Sequence, residues 1–256
     1  NLLGTTIPGA TGSGTNEVTV PLSAFTGSII VTTLGGDDQL TLDYSGGNPI
    51  PAAGLEFHGG DPVVGSGDKL FVTGGSFATG VYDATGVGSG TLTLDGSVIQ
   101  FTGLEPTDLT GSTLVDYTIN VDPGNTIAGP VTTTVAASGG TDTLVSFSGG
   151  LESTLIRTIT GTLTINGDNA DQDIFNVQGV GSSFAAGLTV DGRGATTDEI
   201  HLQTGAGLAL AAGKNLSLTA ETIDQTGPVT VSGLTTLNNQ GSGTAINLSN
   251  AGNNFG

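Results

Sequence analysis

Apolar and polar residues alternate in short runs along this chain, and the clearest runs recur. Two stretches of equal length, LTINGDNADQDIFNV at 163–177 and LTVDGRGATTDEIHL at 188–202, align without a gap. The identical pairs are Leu163/Leu188, Thr164/Thr189, Gly167/Gly192, Ala170/Ala195 and Asp173/Asp198. Alternation with a period of two is typical of β-strands, because successive side chains point to opposite faces. The pattern predicts strands of about four residues separated by bends.

Looser copies of the same unit occur elsewhere, and no helical pattern of ten or more residues accompanies them. They are LTLDY at 40–44, LEFHG at 55–59, LTLDG at 92–96, LALAA at 208–212, LSLTA at 216–220 and VTVSG at 229–233. In several copies a glycine follows the strand. We expect that glycine to adopt a positive φ and to turn the chain.

The 25-residue offset between Leu163 and Leu188 lies in the range of solenoid repeats. The sequence therefore predicts an all-β chain folded as a right-handed parallel β-helix, or β-solenoid. At this repeat length the chain would supply about ten coils and a rod about 50 Å long.

An antiparallel arrangement competes with the solenoid in the first part of the chain. Residues 91–103, TLTLDGSVIQFTG, have the Asp-Gly turn between alternating strands that favours a β-hairpin. Three regions follow from these patterns. Residues 1–34 are predicted to be a cap or hairpin, with an antiparallel sandwich-like portion as the alternative. Residues 35–159 are predicted to be irregular Gly/Asp-rich β-repeats. Residues 160–256 are predicted to be regular solenoid coils that continue into further sequence.

The chain has 256 residues and is strongly acidic, with 23 acidic and 4 basic residues and a formal charge of −19. Nucleic acid is an unlikely partner, because its binding needs Lys and Arg to displace counterions. The charge also disfavours anionic membrane surfaces, and no run of about 18 apolar residues predicts membrane insertion. A hydrated acidic surface suits a salty exterior. With no cysteine to form disulfides, such a chain would be stabilised by stacking.

Two sets of segments resemble known bacterial families. In the C-terminal third, AGKNLSLTA at 212–220 and GTAINLSNAGNNFG at 243–256 resemble the β-helix repeats of filamentous-haemagglutinin-like adhesins and autotransporter passengers. Earlier segments, at 35–47 and 59–75, are similar to very large secreted repeat proteins of planctomycetes and marine bacteria. The resemblance implies a bacterial protein that is exported to the cell surface or extracellular matrix, is extended, and has a role in adhesion.

Aspartates in Gly-rich turns are candidate ligands for calcium, which takes six to eight oxygens. Two segments are similar to the calcium-binding nonapeptides of secreted toxins: GSGDKLFV at 65–72 and GGTDTLVSF at 139–147. The candidate metal residues are Asp37, Asp38, Asp68, Asp142, Asp168, Asp171, Asp173 and Asp198. The alternative is structural, with Asp173 and Asp198 accepting hydrogen bonds from turn amides at the start of a strand.

No set of residues in the sequence indicates catalysis. A polysaccharide-degrading β-helix needs two converging carboxylates and usually aromatic platforms, but the chain has no Trp and only 3 Tyr. Neither His58 nor His201 belongs to a recognisable triad. We therefore expect a structural protein, a stalk, filament or matrix element that associates with itself or with neighbouring repeats. The alternative function is a calcium-stabilised adhesin module that binds a glycan or a protein.

Overall fold

Strands and one short 3₁₀ turn, Leu22–Ala24, form the regular structure of the described residues. The computed structural model describes residues 8–12, 14, 18–33, 35–60, 67–194, 197–203, 205, 207–241 and 245–256. Some residues of the predicted N-terminal cap lie outside the described part of the chain: 1–7, 13, 15–17 and 34. Gly65 of the first nonapeptide-like segment also lies outside it. The strands are β1 (Ile29–Thr32), β2 (Gln39–Asp43), β3 (Leu55–His58), β4 (Lys69–Gly86), β5 (Ser89–Leu94), β6 (Ser97–Thr102), β7 (Thr107–Val121), β8 (Val131–Ser138), β9 (Asp142–Phe147), β10 (Thr154–Ile156), β11 (Thr158–Ile159), β12 (Thr162–Asn166), β13 (Asp173–Val177), β14 (Gly187–Asp191), β15 (Glu199–Leu202), β16 (Leu208–Ala209), β17 (Leu216–Ala220), β18 (Thr222–Gln225), β19 (Val229–Val231), β20 (Thr235–Asn239), β21 (Ile246–Asn247) and β22 (Asn254–Phe255).

Three stacks of parallel strands organise the C-terminal half. Stack A joins β7, β12, β14, β17 and β20 in that order. Stack B joins β8, β13, β15, β18 and β21. Stack C joins β16, β19 and β22. From β14 onward the chain visits stacks A, B and C in a fixed order, and it does so three times.

The register within the stacks follows the sequence repeat. Leu163 pairs with Leu188 in stack A, and Phe175 pairs with Ile200 in stack B. These are the pairs that the alignment of 163–177 with 188–202 predicts. Because a shift by one residue would turn every apolar side chain outward, the alternating pattern fixes this register.

Antiparallel pairs lie among the parallel ones in the first part of the chain. Strands β4, β5 and β6 form an antiparallel meander, and the β5–β6 hairpin confirms the prediction for residues 91–103. Its turn residues Asp95 and Gly96 both have positive φ, 44° and 85°, as the tight Asp-Gly turn requires. A second meander joins β8, β9 and β10. The chain is thus all-β, as predicted, and its large sheet is mixed.

Inward-facing apolar side chains form one continuous core along the stacks. In stack A, the aligned residues Leu163, Leu188 and Leu216 are all fully buried. Each buried Leu, Ile, Val or Phe contributes about 1.5–3 kcal/mol relative to exposure to water. The polar positions between them face outward, which explains the period of two in the sequence.

Candidate functional site

Buried carboxylates form a column at the entrance to stack B, which we name the C-terminal acidic column. It consists of Asp168, Asp173, Asp198 and Glu221, none of which exceeds 6% exposure. Three of the carboxylates accept the backbone N–H of the preceding member: Asp168 N to Asp173 Oδ2 is 2.8 Å, Asp173 N to Asp198 Oδ1 is 2.9 Å, and Asp198 N to Glu221 Oε2 is 2.8 Å. The column therefore links successive strands of the stack through charge-assisted hydrogen bonds.

A related arrangement lies near the start of the chain, where Asp38, Asp68 and Glu105 are linked through two hydrogen bonds and Glu152 interacts electrostatically with Glu105. We name these four residues the N-terminal acidic column. The N–H of Asp38 lies 2.7 Å from Asp68 Oδ1, and the N–H of Asp68 lies 3.3 Å from Glu105 Oε2. Glu152 is also buried and accepts the N–H of Ser153. In two separate parts of the chain, acidic side chains thus accept hydrogen bonds from backbone N–H groups at the start of a strand.

Glycines provide the space for these carboxylates. A Cβ placed on Gly59 or Gly167 would lie less than 3.0 Å from the carboxylate of Asp68 or Asp173, respectively. Neither glycine has a positive φ. The prediction that glycines after these strands turn the chain through a positive φ is therefore wrong at these positions. We name the arrangement a glycine–carboxylate contact, and Gly192 makes the same contact with Asp198.

Burial makes ionisation of two members unfavourable. Burial raises the pKa of Asp173 to about 7, although the hydrogen bond from the Asp168 N–H opposes the shift; the nearby charges of Asp168, Asp198 and Asp122 raise it further. Burial likewise raises the pKa of Glu152 to about 7, with an added contribution from Glu105. Both columns therefore take up protons near neutral pH.

The structure distributes the remaining predicted metal residues among different surroundings. Asp37 is exposed, whereas Asp171 is half-buried, with its N–H bonded to Asp168 Oδ1. Asp142 pairs with Arg157 at 2.7 Å, and this hydrogen bond lowers the pKa of Asp142. The structure thus brings Asp168, Asp173 and Asp198 into one column and Asp38 and Asp68 into another.

Among the described residues, no three His, Asp or Glu side chains are grouped so that they could hold one metal ion. In both columns a carboxylate oxygen instead accepts a backbone N–H group, which is the structural alternative that the sequence left open. Asp68 Oδ2 is an exception, since it is buried with no hydrogen-bond partner among the described residues. Calcium binding at these aspartates stays a prediction.

Sequence reasoning missed four acids that serve the same purpose. They are Glu152, Glu221 and Asp122, which are buried, and Glu105, which is half-buried. Asp122 has both carboxylate oxygens occupied, by the N–H groups of Thr126 and Ile127. An acid immediately before a Thr- or Ile-rich strand, as in ETI at 221–223, is the signal that indicates such a role.

On the outer faces, polar side chains align from strand to strand. In stack A, Asn166 Nδ2 donates to Asn120 Oδ1 at 2.9 Å, and Asn120 Nδ2 donates to Asp83 Oδ1 at 2.7 Å. In stack B, His201 lies between two carboxylates, at 3.0 Å from Glu199 and 2.9 Å from Asp224. The asparagine contacts and the contact of His201 with Asp224 cross-link neighbouring strands on the outside, whereas Glu199 and His201 lie on the same strand, β15.

The strand stacks with their repeated columns define an all-β protein with internal repeats. A family model described as "Repeats of unknown function (DUF5649)" matches residues 195–256, the part of the chain where stacks A, B and C alternate. Neither the comparison with curated proteins nor that with solved structures finds a match. In the part of the chain that the structure describes, no helix is long and apolar enough to span a bilayer.

Proposed function

We propose that this chain is a rigid segment of a secreted structural protein, and that its C-terminal part is a right-handed parallel β-solenoid. The observation that carries the proposal is the repeated order of stacks A, B and C, each continued in parallel by the next visit. A chain that returns to three parallel sheets in turn advances along one axis. We infer that the solenoid is right-handed because connections between parallel strands of one sheet are right-handed in nearly all proteins.

Rigidity is the property that such an arrangement supplies. Each strand in the middle of a stack is hydrogen-bonded to neighbours on both sides, and the inner apolar columns exclude water. The acidic columns add a second set of hydrogen bonds along the same direction. A rod stabilised in this way resists bending without disulfides or a wide core.

The last strand of each stack supports association at the C-terminal end. Ile246 pairs with the fully buried Ile223, and Phe255 pairs with the fully buried Val231, yet each is 39% exposed. Among the described residues, β20, β21 and β22 each pair with one strand only. An open strand edge beside uncovered apolar side chains is a template for another strand. We propose that this edge associates with a second copy of the chain.

The proposed location is the bacterial cell surface or extracellular matrix. It is supported by the charge of −19, which suits a hydrated surface in a salty exterior. Immunogold labelling of intact and permeabilised producing cells tests the location. Label confined to the interior of permeabilised cells would contradict it.

Sedimentation velocity tests the end-to-end contact with two matched variants. We expect the native protein to associate as its concentration rises, and Ile246→Lys to weaken this association at least tenfold. Val115→Lys replaces an apolar residue of similar exposure, 44%, on β7, and should associate as the native protein does. A native protein that stays monomeric up to about 1 mM would overturn the contact, because even binding worth about 4 kcal/mol is half saturated there.

Electron microscopy of the same samples tests the rod. We expect layers spaced at about 4.8 Å along one axis, with seven strands in the parallel ladder that runs from β2 through β4 and β7 to β20, and longer particles built from such units end to end. Particles without a repeat of about 4.8 Å along one axis would exclude the solenoid.

A further inference from the structure

The ladder of stack A continues beyond β7 to an edge near the start of the chain. From β7 the pairing passes to β4, β5, β6, β3 and finally β1. We name this ladder of ten strands, from β1 to β20, the extended stack A. Among the described residues, β1 and β20 each pair with one strand only. The extended stack A therefore has an open edge at each end, and an open edge is a template for another strand.

The two edge strands of the extended stack A run in the same direction. Seven of its nine pairings are parallel, and the two antiparallel pairings lie on either side of β5. Because two reversals cancel, β1 is parallel to β20. A second copy can therefore place its β1 beside β20 as the next parallel strand.

Stack B extends in the same way and to the same number of strands. From β8 its pairing passes to β9, β10, β7, β4 and β2, and only β9 is reversed. The long strands β4 and β7 belong to both ladders: β2 pairs with Lys69–Thr73 of β4, whereas β5 pairs with its later residues from Gly80 onward. With ten strands in each ladder, β1 and β2 form one end, and β20 and β21 form the other.

One inward-facing column of side chains runs through the whole extended stack A, from Ile29 on β1 to Leu237 on β20. The members between them are Leu55, Ile99, Leu92, Tyr82, Ile119, Ile165, Val190 and Leu218. These inner members are at most 4% exposed, whereas Ile29 and Leu237 are only partly buried. The column is thus incompletely covered at its two ends, where the next strand is missing.

The distribution of charge permits the two ends to meet. All 23 acidic residues precede residue 225, and residues 225–256, which include β20, β21 and β22, carry no charged side chain. The opposite end carries acids beside β2, such as Asp38 and Asp43, while β1 is uncharged. A contact between different ends therefore brings no two carboxylates together. A contact between two β1–β2 ends would bring these acids together, and like charges repel.

We propose that copies of this chain join head to tail, with β1 of one copy adding to β20 of another so that Ile29 follows Leu237 in the inward column. A contact between two identical ends has a twofold axis. Such an axis either reverses the added strand or places its apolar face level with the outer face of its neighbour. Only the contact between different ends keeps both the strand direction and the apolar face, and it adds copies without closing into a ring of two. This inference rests on the association with a second copy proposed above and names the surface which that copy presents.

Engineered cysteines test the contact, because the chain has no cysteine of its own. In the proposed register, Ile30 of one copy lies beside Asn238 of the other, since both belong to one outward-facing column of the extended stack A. Both residues are exposed. Their Cα atoms would be about 4.8 Å apart, which a disulfide can bridge. We expect Ile30→Cys mixed with Asn238→Cys to give a disulfide-linked dimer on oxidation, and the double variant to give a series of longer oligomers on a non-reducing gel.

Thr236→Cys is the matched control for the register. Thr236 is exposed on the same face of β20, two residues before Asn238. Its Cα would lie about 8 Å from that of Ile30, which is too far for a disulfide. Mixed with Ile30→Cys, it should cross-link roughly tenfold less than Asn238→Cys does.

Each single variant alone reports on the contacts between identical ends. Disulfide-linked dimers of Asn238→Cys alone would show that two β20 edges meet, and dimers of Ile30→Cys alone would show that two β1 edges meet. Either result would overturn the head-to-tail contact and leave the association itself standing, as would a native protein that associates in sedimentation velocity while no mixture cross-links. A native protein that stays monomeric up to about 1 mM, with no cross-link in any mixture, would overturn both.

Discussion

Gly167 lies directly against the carboxylate of Asp173, so closely that a Cβ on the glycine would overlap the carboxylate oxygen. The two residues begin and end one loop, between a strand of stack A and the next strand of stack B. Gly192 and Asp198 stand in the same relationship 25 residues later, and the Asp173 N–H joins the two contacts by donating to Asp198. The loop is therefore built around a buried acid that needs a glycine beside it.

Gly167→Ala should lower the free energy of unfolding by about 2–4 kcal/mol. The added methyl group must displace both the Asp173 carboxylate and the Gly192 carbonyl, which disrupts packing and the hydrogen bond from the Asp168 N–H. Urea unfolding followed by circular dichroism measures the change. Gly27→Ala is the control, because Gly27 has open space around its Cα and no positive φ. That variant should match or slightly exceed the native stability.

An effect of Gly167→Ala no larger than that of Gly27→Ala would mean that the carboxylate moves aside without cost. The glycine would then be dispensable, and the recurrence of Gly167 and Gly192 in the sequence would need another cause.

Local pattern was enough to predict the strands and much of their pairing. The alternation around Leu163 and Leu188 predicted the strands there. The gapless alignment of the two segments predicted how their residues pair in stacks A and B. The Asp-Gly turn at Asp95 gave the β5–β6 hairpin, because that dipeptide suits two successive residues of positive φ.

Pairings over irregular distances were not predictable in the same way. Leu163 pairs with Tyr117, 46 residues earlier, because the meander of β8, β9 and β10 intervenes. The sequence carries no signal for the length of such an insertion, since a stack accepts any connection that returns the chain to the next strand position.

Stability should fall as the pH rises from about 4 to about 7. Burial raises the pKa of Asp173 and of Glu152 to about 7 in the folded protein, above their values of about 4 in the unfolded chain. The folded state therefore binds more protons in this interval, and its advantage is lost as these groups ionise. We expect the free energy of unfolding to be about 2–4 kcal/mol lower at pH 8 than at pH 5. The salt bridge of Asp142 acts in the opposite direction, but at lower pH, because its pKa is lowered.

Asp173→Asn tests the source of this dependence. The amide oxygen still accepts the Asp168 N–H, while the charge is absent, so the variant should exceed the native stability at pH 8 and vary less with pH. Asp37→Asn changes an exposed carboxylate and should leave the pH profile unaltered. If the native protein is instead more stable at pH 8 than at pH 5, ionisation of the two acidic columns does not lower the free energy of unfolding.

Calcium and a chelator should each change the melting temperature by less than about 2 °C, a shift of roughly 1 kcal/mol or less for a chain of this size. In the C-terminal acidic column, one oxygen each of Asp173, Asp198 and Glu221 accepts a backbone N–H, and no three acidic or His side chains of the described residues are grouped to hold one ion. Differential scanning fluorimetry at constant ionic strength, with magnesium as the comparison ion, measures the shift.

A saturable rise with calcium alone would contradict this expectation. Calcium at 100 times its Kd adds about 2.7 kcal/mol, or roughly 5–10 °C here. Asp171→Asn would then show whether the loop around Asp168 supplies the site, because Asp171 is its half-buried carboxylate.

The sequence could not separate these two roles of aspartate. A carboxylate that accepts turn amides and one that coordinates calcium both lie in Gly-rich loops, and both need a short acidic side chain. The difference is where the backbone N–H groups of the neighbouring strand point. That depends on the stacking of residues 23 or 25 positions apart, as for Asp198 and Glu221 or Asp173 and Asp198.

Asn120→Ala should lower the free energy of unfolding by about 1.5–3 kcal/mol, because Asn120 is the middle member of the outer column in stack A. The substitution removes its donor to Asp83 and its acceptor for the nearly buried Asn166, whose amide then loses its hydrogen bond. Asn238→Ala is the matched control: it removes an exposed asparagine of the same column on β20 and should change stability by less than about 0.5 kcal/mol.

In the double variant of Asn120 and Asn166, the two losses should not add, since both substitutions break one shared hydrogen bond. Additive losses would mean that the two amides act independently, and the outer column would then contribute nothing to holding the strands in register.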